Sequence, residues 1–351
     1  MKISRRDFLK AVSVAAGALG LEASGMLKLQ EVLAGNGLPP VIWLQGQSCS
    51  GCSISFLNSI NLKSAKDVLI EDINLEYHPN LSAAAGDFAI SAASVARPSP
   101  GELQGLATDW LSGDATSNFD LNGDGDVNLI DFAKLSQRGY ILVIEGAIPT
   151  GAHGEYCEIA EGLTMIDALE KFSQNASLIV AVGTCAAFGG IPASGANPTG
   201  AMGVNDALEH LGKSRTAINI SGCPVHPDWL VGTLVAALTG QAIPLDSDRR
   251  PTEYFGELIH ENDNGNCPFK EGARAHILGD VGCMKPLGCK GEKTRADCYF
   301  RKWNSGGSGE YGVNWCMGAG SPCIGCTEKG FPDGDFAPFY KLEGGGGRDD
   351  D

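Results

Sequence analysis

Twelve cysteines stand among 351 residues, and their spacing is what gives this sequence its chemistry. The number is too sparse for a small disulfide scaffold and too high for ordinary core thiols. Cys49-Ser50-Gly51-Cys52 is a Cys-x-x-Cys pair, a pattern that is redox-active in some proteins and half of a zinc or iron site in others. Cys185 and Cys223 each follow a strand-like apolar run, so three segments can bring four thiolates together. Four convergent thiolates suit an iron–sulfur cube or zinc. Burying a thiolate is costly unless it is bonded to metal, so a free dithiol does not account for the set. Seven of the twelve fall between Cys267 and Cys326. At four ligands per centre, Cys298, Cys316, Cys323 and Cys326 make one complete set. Cys267, Cys283 and Cys289 then lack a fourth ligand, which an imidazole nitrogen can supply; His260, seven residues before Cys267, is the best candidate.

The elements that must position these groups are legible as alternating patterns. Residues 41–44, 140–144, 178–182 and 217–220 read as strands, with helices from about Ser53, near residues 163–172 and over about 228–238. Strands alternating with helices predict a parallel sheet wound on both sides, whose ligands bind beyond the carboxyl ends of the strands. Three of those ends deliver cysteine. From about Ile243 the periodicity fades while Gly and Pro rise, and a segment so poor in regular structure needs metal or disulfide staples. The expected fold is α/β, a flavodoxin-like doubly wound parallel sheet followed by a smaller irregular cluster-bearing domain.

Composition narrows the function further. With 26 Lys and Arg against 42 Asp and Glu, the formal charge is −16, so no basic face is available for nucleic acid. The acidic balance suits a cationic partner met by electrostatic steering. Arg5-Arg6 before the apolar residues 11–21 reads as a twin-arginine export signal, too short to span a bilayer. Export of the folded protein lets thiols capture metal in a reducing compartment before translocation to the periplasm, and no transmembrane anchor is expected. An island at residues 95–135 contains Asp120, Asn122, Asp124 and Asp126, with Gly125 at position 6 and Asp131 at position 12, the oxygen spacing of a calcium loop. Its closing Asp and its Val127 resemble a dockerin loop, of which only one repeat is present.

The whole pattern resembles the small, electron-transferring subunit of nickel–iron hydrogenases. The resemblance rests on residues 41–46 leading to the Cys49–Cys52 pair, Glu145-Gly146-Ala147-Ile148-Pro149-Thr150, Gly183-Thr184-Cys185 and Asn197-Pro198-Thr199-Gly200. It continues through Gly222-Cys223-Pro224, Leu287-Gly288-Cys289-Lys290-Gly291 and Pro322-Cys323-Ile324-Gly325-Cys326. It implies that Cys49, Cys52, Cys185 and Cys223 hold a proximal cluster. Cys298, Cys316, Cys323 and Cys326 would hold a medial one, and His260, Cys267, Cys283 and Cys289 a distal one. His276 competes with His260, because residues 262–266 lengthen the usual spacing. Many members carry Pro at the Cys316 position and a three-iron medial cluster. Cys316 implies four irons there, as in nickel–iron–selenium relatives, and hence three 4Fe-4S clusters. Gly51 and Gly190 stand where oxygen-tolerant relatives carry two extra cysteines, which implies an ordinary proximal cluster. Cys157 is expected to lie buried near that cluster without ligating it, and His153 and His226 to line its surroundings. His78 and His210 carry no expected role. The implied partners are a large subunit holding the nickel–iron centre and a soluble electron carrier such as cytochrome c.

The expected organisation is a signal peptide at 1–34, a flavodoxin-like domain at 35–94 and 136–240, the calcium-loop island at 95–135, a medial and distal cluster domain at 241–343, and a Gly/Asp tail at 344–351. A second reading takes the island as the function: an exported calcium-dependent binding module whose cysteines are disulfides or zinc ligands.

Overall fold

The computed structural model describes residues 39–81, 139–260, 267–270, 272–303 and 314–340. Five strands form its main sheet: β1 (Pro40–Gln45), β2 (Asn74–Tyr77), β3 (Tyr140–Glu145), β4 (Ala176–Val182) and β5 (Ile218–Ile220). They run parallel in the order β2-β1-β3-β4-β5, the flavodoxin-like doubly wound arrangement. Val41 pairs with Ile141, Gln45 with Glu145 and Val180 with Ile218, so the strand ends are level. This register places the loops after β1, β3, β4 and β5 at one edge.

Both sheet faces are covered, which is why these strands read as continuous apolar runs. Val41, Trp43, Val143, Val180, Val182 and Ile220 point to one face. They pack with Phe56 of α1 (Gly51–Leu57) and Trp229, Leu230 and Leu234 of α5 (Pro227–Leu238). Ile42, Leu44, Leu142, Ile144 and Ile179 point to the other. They meet α2 (Met165–Ser173) and α4 (Val204–His210) through Leu169, Phe172, Val204 and Leu208. Between these, α3 (Thr184–Phe188) starts directly after β4. Thr164 caps α2, accepting the Asp167 N–H at 3.3 Å. Sequence periodicity does not announce β2: Asn-Leu-Glu-Tyr is a four-residue edge strand with exposed positions.

Beyond α5 the chain has little regular structure among the described residues: the single helical turns α6 (Thr252–Phe255) and α7 (Cys298–Arg301), and 3-10 turns. It builds onto the existing core, since Phe255, Ile259, Leu287, Trp315 and Met317 join the cluster that contains Val41 and Trp229. Buried Arg250 clamps it. Its Nε donates to Asp246 at 2.9 Å, and Nη1 to the Glu328 carboxylate and the Thr327 carbonyl, both at 3.1 Å. All twelve cysteines are free of disulfides. Among the described residues, no helix is long and apolar enough to cross a membrane.

Candidate metal centres

The first four thiols gather at the carboxyl edge of the sheet. Cys49 and Cys52 follow β1, with Cys52 in the first turn of α1; Cys185 opens α3 after β4, and Cys223 follows β5. The ends of β4 and β5 are stitched together: Gly183 N–H donates to the Ile220 carbonyl, Thr184 N–H to that of Gly222, and Gly222 N–H to Thr184 Oγ1. Gly183 has φ 85°, and a Cβ there would run into the Cys52 sulfur, so the backbone bends where only glycine leaves room for that thiol. A Cβ at Gly190 would lie 3.0 Å from the Cys185 sulfur, and one at Gly51 3.1 Å from that of Cys49.

Burial pushes the Cys52 thiol well above its ordinary value, and Glu145, Cys185 and Cys223 raise it further by charge. Burial also lifts Cys185 to about 11, with Cys223 and Cys49 adding to it. Cys52, Cys185 and Cys223 therefore share a desolvated site, with Cys49 exposed at its rim.

One residue ties this edge together. The Glu145 carboxylate, at the end of β3, accepts the Cys52 and Ser53 N–H groups at 3.1 and 3.2 Å, Gln45 Nε2 at 2.9 Å, Trp43 Nε1 at 3.2 Å and the Ser53 hydroxyl. Buried His78 lies 3.2 Å from Ser53 Oγ through Nε2, while its Nδ1 accepts the Asn80 N–H at 3.1 Å. Burial lowers the His78 pKa, so the ring is neutral with Nε2 as its donor. His226, expected to line the surroundings of this site, borders a cleft together with Gly51 and Pro224 and also caps α5: its Nδ1 accepts the Asp228 N–H at 3.1 Å, and Nε2 meets the Lys302 carbonyl at 2.5 Å. His153 sits in the turn Gly151–Gly154 with positive φ.

A second group comprises Cys298, Cys316, Cys323 and Cys326. Burial raises Cys298, with Cys326, Cys316 and Cys323 adding by charge, and pushes Cys326 up to about 12. The third borders a small cleft lined by His260, Cys267, Cys283 and Cys289 together with Lys285 and Met317. Arg274 Nη1 lies 3.4 Å from the Cys283 sulfur. His276 does not line this cleft; it is exposed, and its N–H meets the Asp280 carboxylate. The three groups are contiguous, because Cys223 acts electrostatically on Cys326 and Cys289 on Cys323. Cys157 corrects one expectation. It is half-buried against the α2–α4 face, whereas Cys52 packs on the opposite face of the sheet. The loop oxygens of Asp120, Asn122, Asp124, Asp126 and Asp131, and the twin arginines, lie outside the described residues.

The donor sets fit a multi-iron cluster better than zinc. Sulfurs around one zinc stand about 3.8 Å apart, since each Zn–S bond is about 2.3 Å. Among the described residues no three His, Cys, Asp or Glu side chains converge closely enough to hold a single ion. Two groups of four thiols and one of three thiols with an imidazole, none of them paired in a disulfide, suit larger inorganic cores.

Comparison with known proteins agrees across the chain. Residues 49–237 match the family described as NADH ubiquinone oxidoreductase, 20 Kd subunit. Residues 255–340 match the family described as the C-terminal part of the NiFe/NiFeSe hydrogenase small subunit. The chain is 36% identical to the periplasmic NiFeSe hydrogenase small subunit of Desulfomicrobium baculatum, over 98% of this chain and 100% of that one. It is 34% identical to the periplasmic NiFe hydrogenase small subunit 1 of Nitratidesulfovibrio vulgaris, over 97% of this chain and 93% of that one. Among solved structures, the oxidised recombinant NiFeSe hydrogenase from Desulfovibrio vulgaris Hildenborough is similar with a TM-score of 0.66 and 39% identity, over 87% of this chain and 98% of that one.

Proposed function

The chain belongs to the family of NiFe and NiFeSe hydrogenase small subunits, and from that premise we propose that it carries electrons between the large subunit's dihydrogen-converting centre and an external carrier. The observation that carries this reading is the contiguous row of three donor sets, with Cys223 beside Cys326 and Cys323 beside Cys289. Bound iron–sulfur clusters would supply one-electron uptake and release at each station.

The chain's own residues hold and insulate those stations. Cys49, Cys52, Cys185 and Cys223 would hold the proximal cluster, Cys298, Cys316, Cys323 and Cys326 a four-iron medial cluster, and His260, Cys267, Cys283 and Cys289 the distal one. The sheet core behind Cys52 and the aromatic packing of Trp315 on Tyr299 beside Cys298 and Cys316 exclude water. Among the described residues none is assigned to a nickel site, which belongs to the partner. The face it would cover surrounds α1, where Ile54, Leu57 and Ile60 are 57%, 45% and 47% exposed and Ile54 and Ile60 border an open cleft. Exposed apolar side chains grouped next to a relay terminus suit an obligate interface. The periplasmic names of the relatives support a periplasmic location; the twin-arginine route and a soluble cytochrome c as carrier rest on the sequence reading. We further assign one calcium ion to the Asp120–Asp131 loop, and the domain boundaries set out from the sequence.

Iron and acid-labile sulfide per chain, with electron paramagnetic resonance of the anaerobically purified complex, test the assignment. About twelve irons without a three-iron signal support three four-iron clusters. Eleven with that signal remove Cys316 from the ligands. Little iron overturns the relay and favours the calcium-module reading. Deleting residues 97–134 should remove bound calcium and leave the iron count unchanged.

A further inference from the structure

Glu145 is almost wholly buried, yet among the described residues it makes no salt bridge. Donors surround it instead. Oε1 takes the Cys52 and Ser53 N–H groups, which fixes the first turn of α1 and the direction in which Cys52 leaves it. Oε2 takes Trp43 Nε1, Gln45 Nε2 and the Ser53 hydroxyl, which joins the same carboxylate to β1. A neutral acid would have to aim its own O–H at one of these donors, so the set is the one a carboxylate takes. Ser53 can turn its proton only toward Glu145, because its oxygen already accepts from Gln45 Nε2 at 3.0 Å and from His78 Nε2. His78 is itself held by the Asn80 N–H and packed against Trp43 at 4.9 Å between ring centroids.

We propose that Glu145 is a positioning residue for the proximal thiols and a buried carboxylate, held by donors, that lowers the reduction potential of the proximal cluster. The inference rests on the assignment of Cys49, Cys52, Cys185 and Cys223 to that cluster. Two physical effects act together. The carboxylate holds the Cys52 amide, so this N–H is spent on Glu145 and is not free to stabilise a reduced sulfur. Its charge, in a low-dielectric site without a cation, opposes the arrival of an electron. The Ser53 hydroxyl and His78 behind it partly offset that charge.

The sign of the effect is the test. In the intact complex, Glu145→Gln keeps an acceptor for the two backbone N–H groups and removes the charge. Redox titration followed by electron paramagnetic resonance should show the proximal potential raised, with the medial and distal potentials unmoved. Ser53→Ala removes a donor and keeps the carboxylate, so it should move the proximal potential the opposite way and by less. Glu145→Ala should raise the potential and also lower proximal iron retention. A proximal cluster that is present but unmoved by Glu145→Gln overturns the proposal, as does a shift of the same sign in Ser53→Ala. If Glu145→Gln loses its iron, the Ser53→Ala shift alone decides by its sign. Absence of the proximal signal from the unmodified complex is a different failure, that of the ligand assignment.

Discussion

Cys185 and Cys223 leave the ends of hydrogen-bonded strands whose ladder and two-sided core are complete without them. Cys267, Cys289 and Cys323 instead sit in irregular chain between short turns, and their own side chains help fill the core on which that segment rests. The first region is a scaffold that presents thiols; the second is a segment assembled around them. The difference follows from where backbone hydrogen bonds go. A parallel ladder satisfies them internally, whereas short 3-10 turns leave most of the shaping to side-chain packing and to whatever the thiols bind.

The sharpest way to break this comparison is to remove iron. On chelation of the isolated complex, amides within residues 255–340 should lose hydrogen-exchange protection, while β1, β3 and β4 keep theirs. Equal loss in both regions would make the sheet as metal-dependent as the turns. Reloading should release protons and grow more favourable as pH rises, because burial holds these thiols protonated, Cys185 up to about 11 and Cys326 to about 12. A second test cuts the Arg250 clamp, which ties residues 246–250 to Thr327 and Glu328 in the segment beyond α5. Arg250→Ala leaves Asp246 and Glu328 without their buried cation, at a cost of about 3–5 kcal/mol. In denaturant unfolding the carboxy-terminal segment should then come away before the sheet, giving two transitions.

Much of the first region was readable in advance and little of the second. β1, β3, β4 and β5 are short Ile/Val/Leu-rich runs because both faces are buried, and their short length with flanking Gly and Cys loops marked them as strands. β2 was not readable, since an edge strand carrying Asn74 and Glu76 has no such pattern. The cysteine groups were visible as spacings, and His260 as the imidazole nearest Cys267. The Glu145–Ser53–His78 chain was not visible, because its members lie 92 and 25 residues apart in sequence and meet only after β1 and β3 pair. His226 does border the proximal region as expected, but its capping role was missed: a histidine before Pro227-Asp228 can cap a helix, and that signal stands in the sequence unused.

Two smaller substitutions sharpen the same contrast. Cys316 is exposed at the residue level although its thiol is desolvated, so Cys316→Ser should cost the medial set about one iron and leave the proximal and distal signals intact. Loss of the whole medial cluster would mean that the turn-built region cannot tolerate even a rim ligand. Cys157→Ala should do least. That thiol packs beside Ile159 and Leu163 on the α2–α4 face, where burial raises its pKa and no other cysteine contributes. Removing its sulfur trims a half-buried side chain, which costs about 1 kcal/mol at most. The iron content and all three cluster signals should stay unchanged. A drop in iron would show that the two faces of the sheet are coupled, so that the scaffold senses its thiols after all.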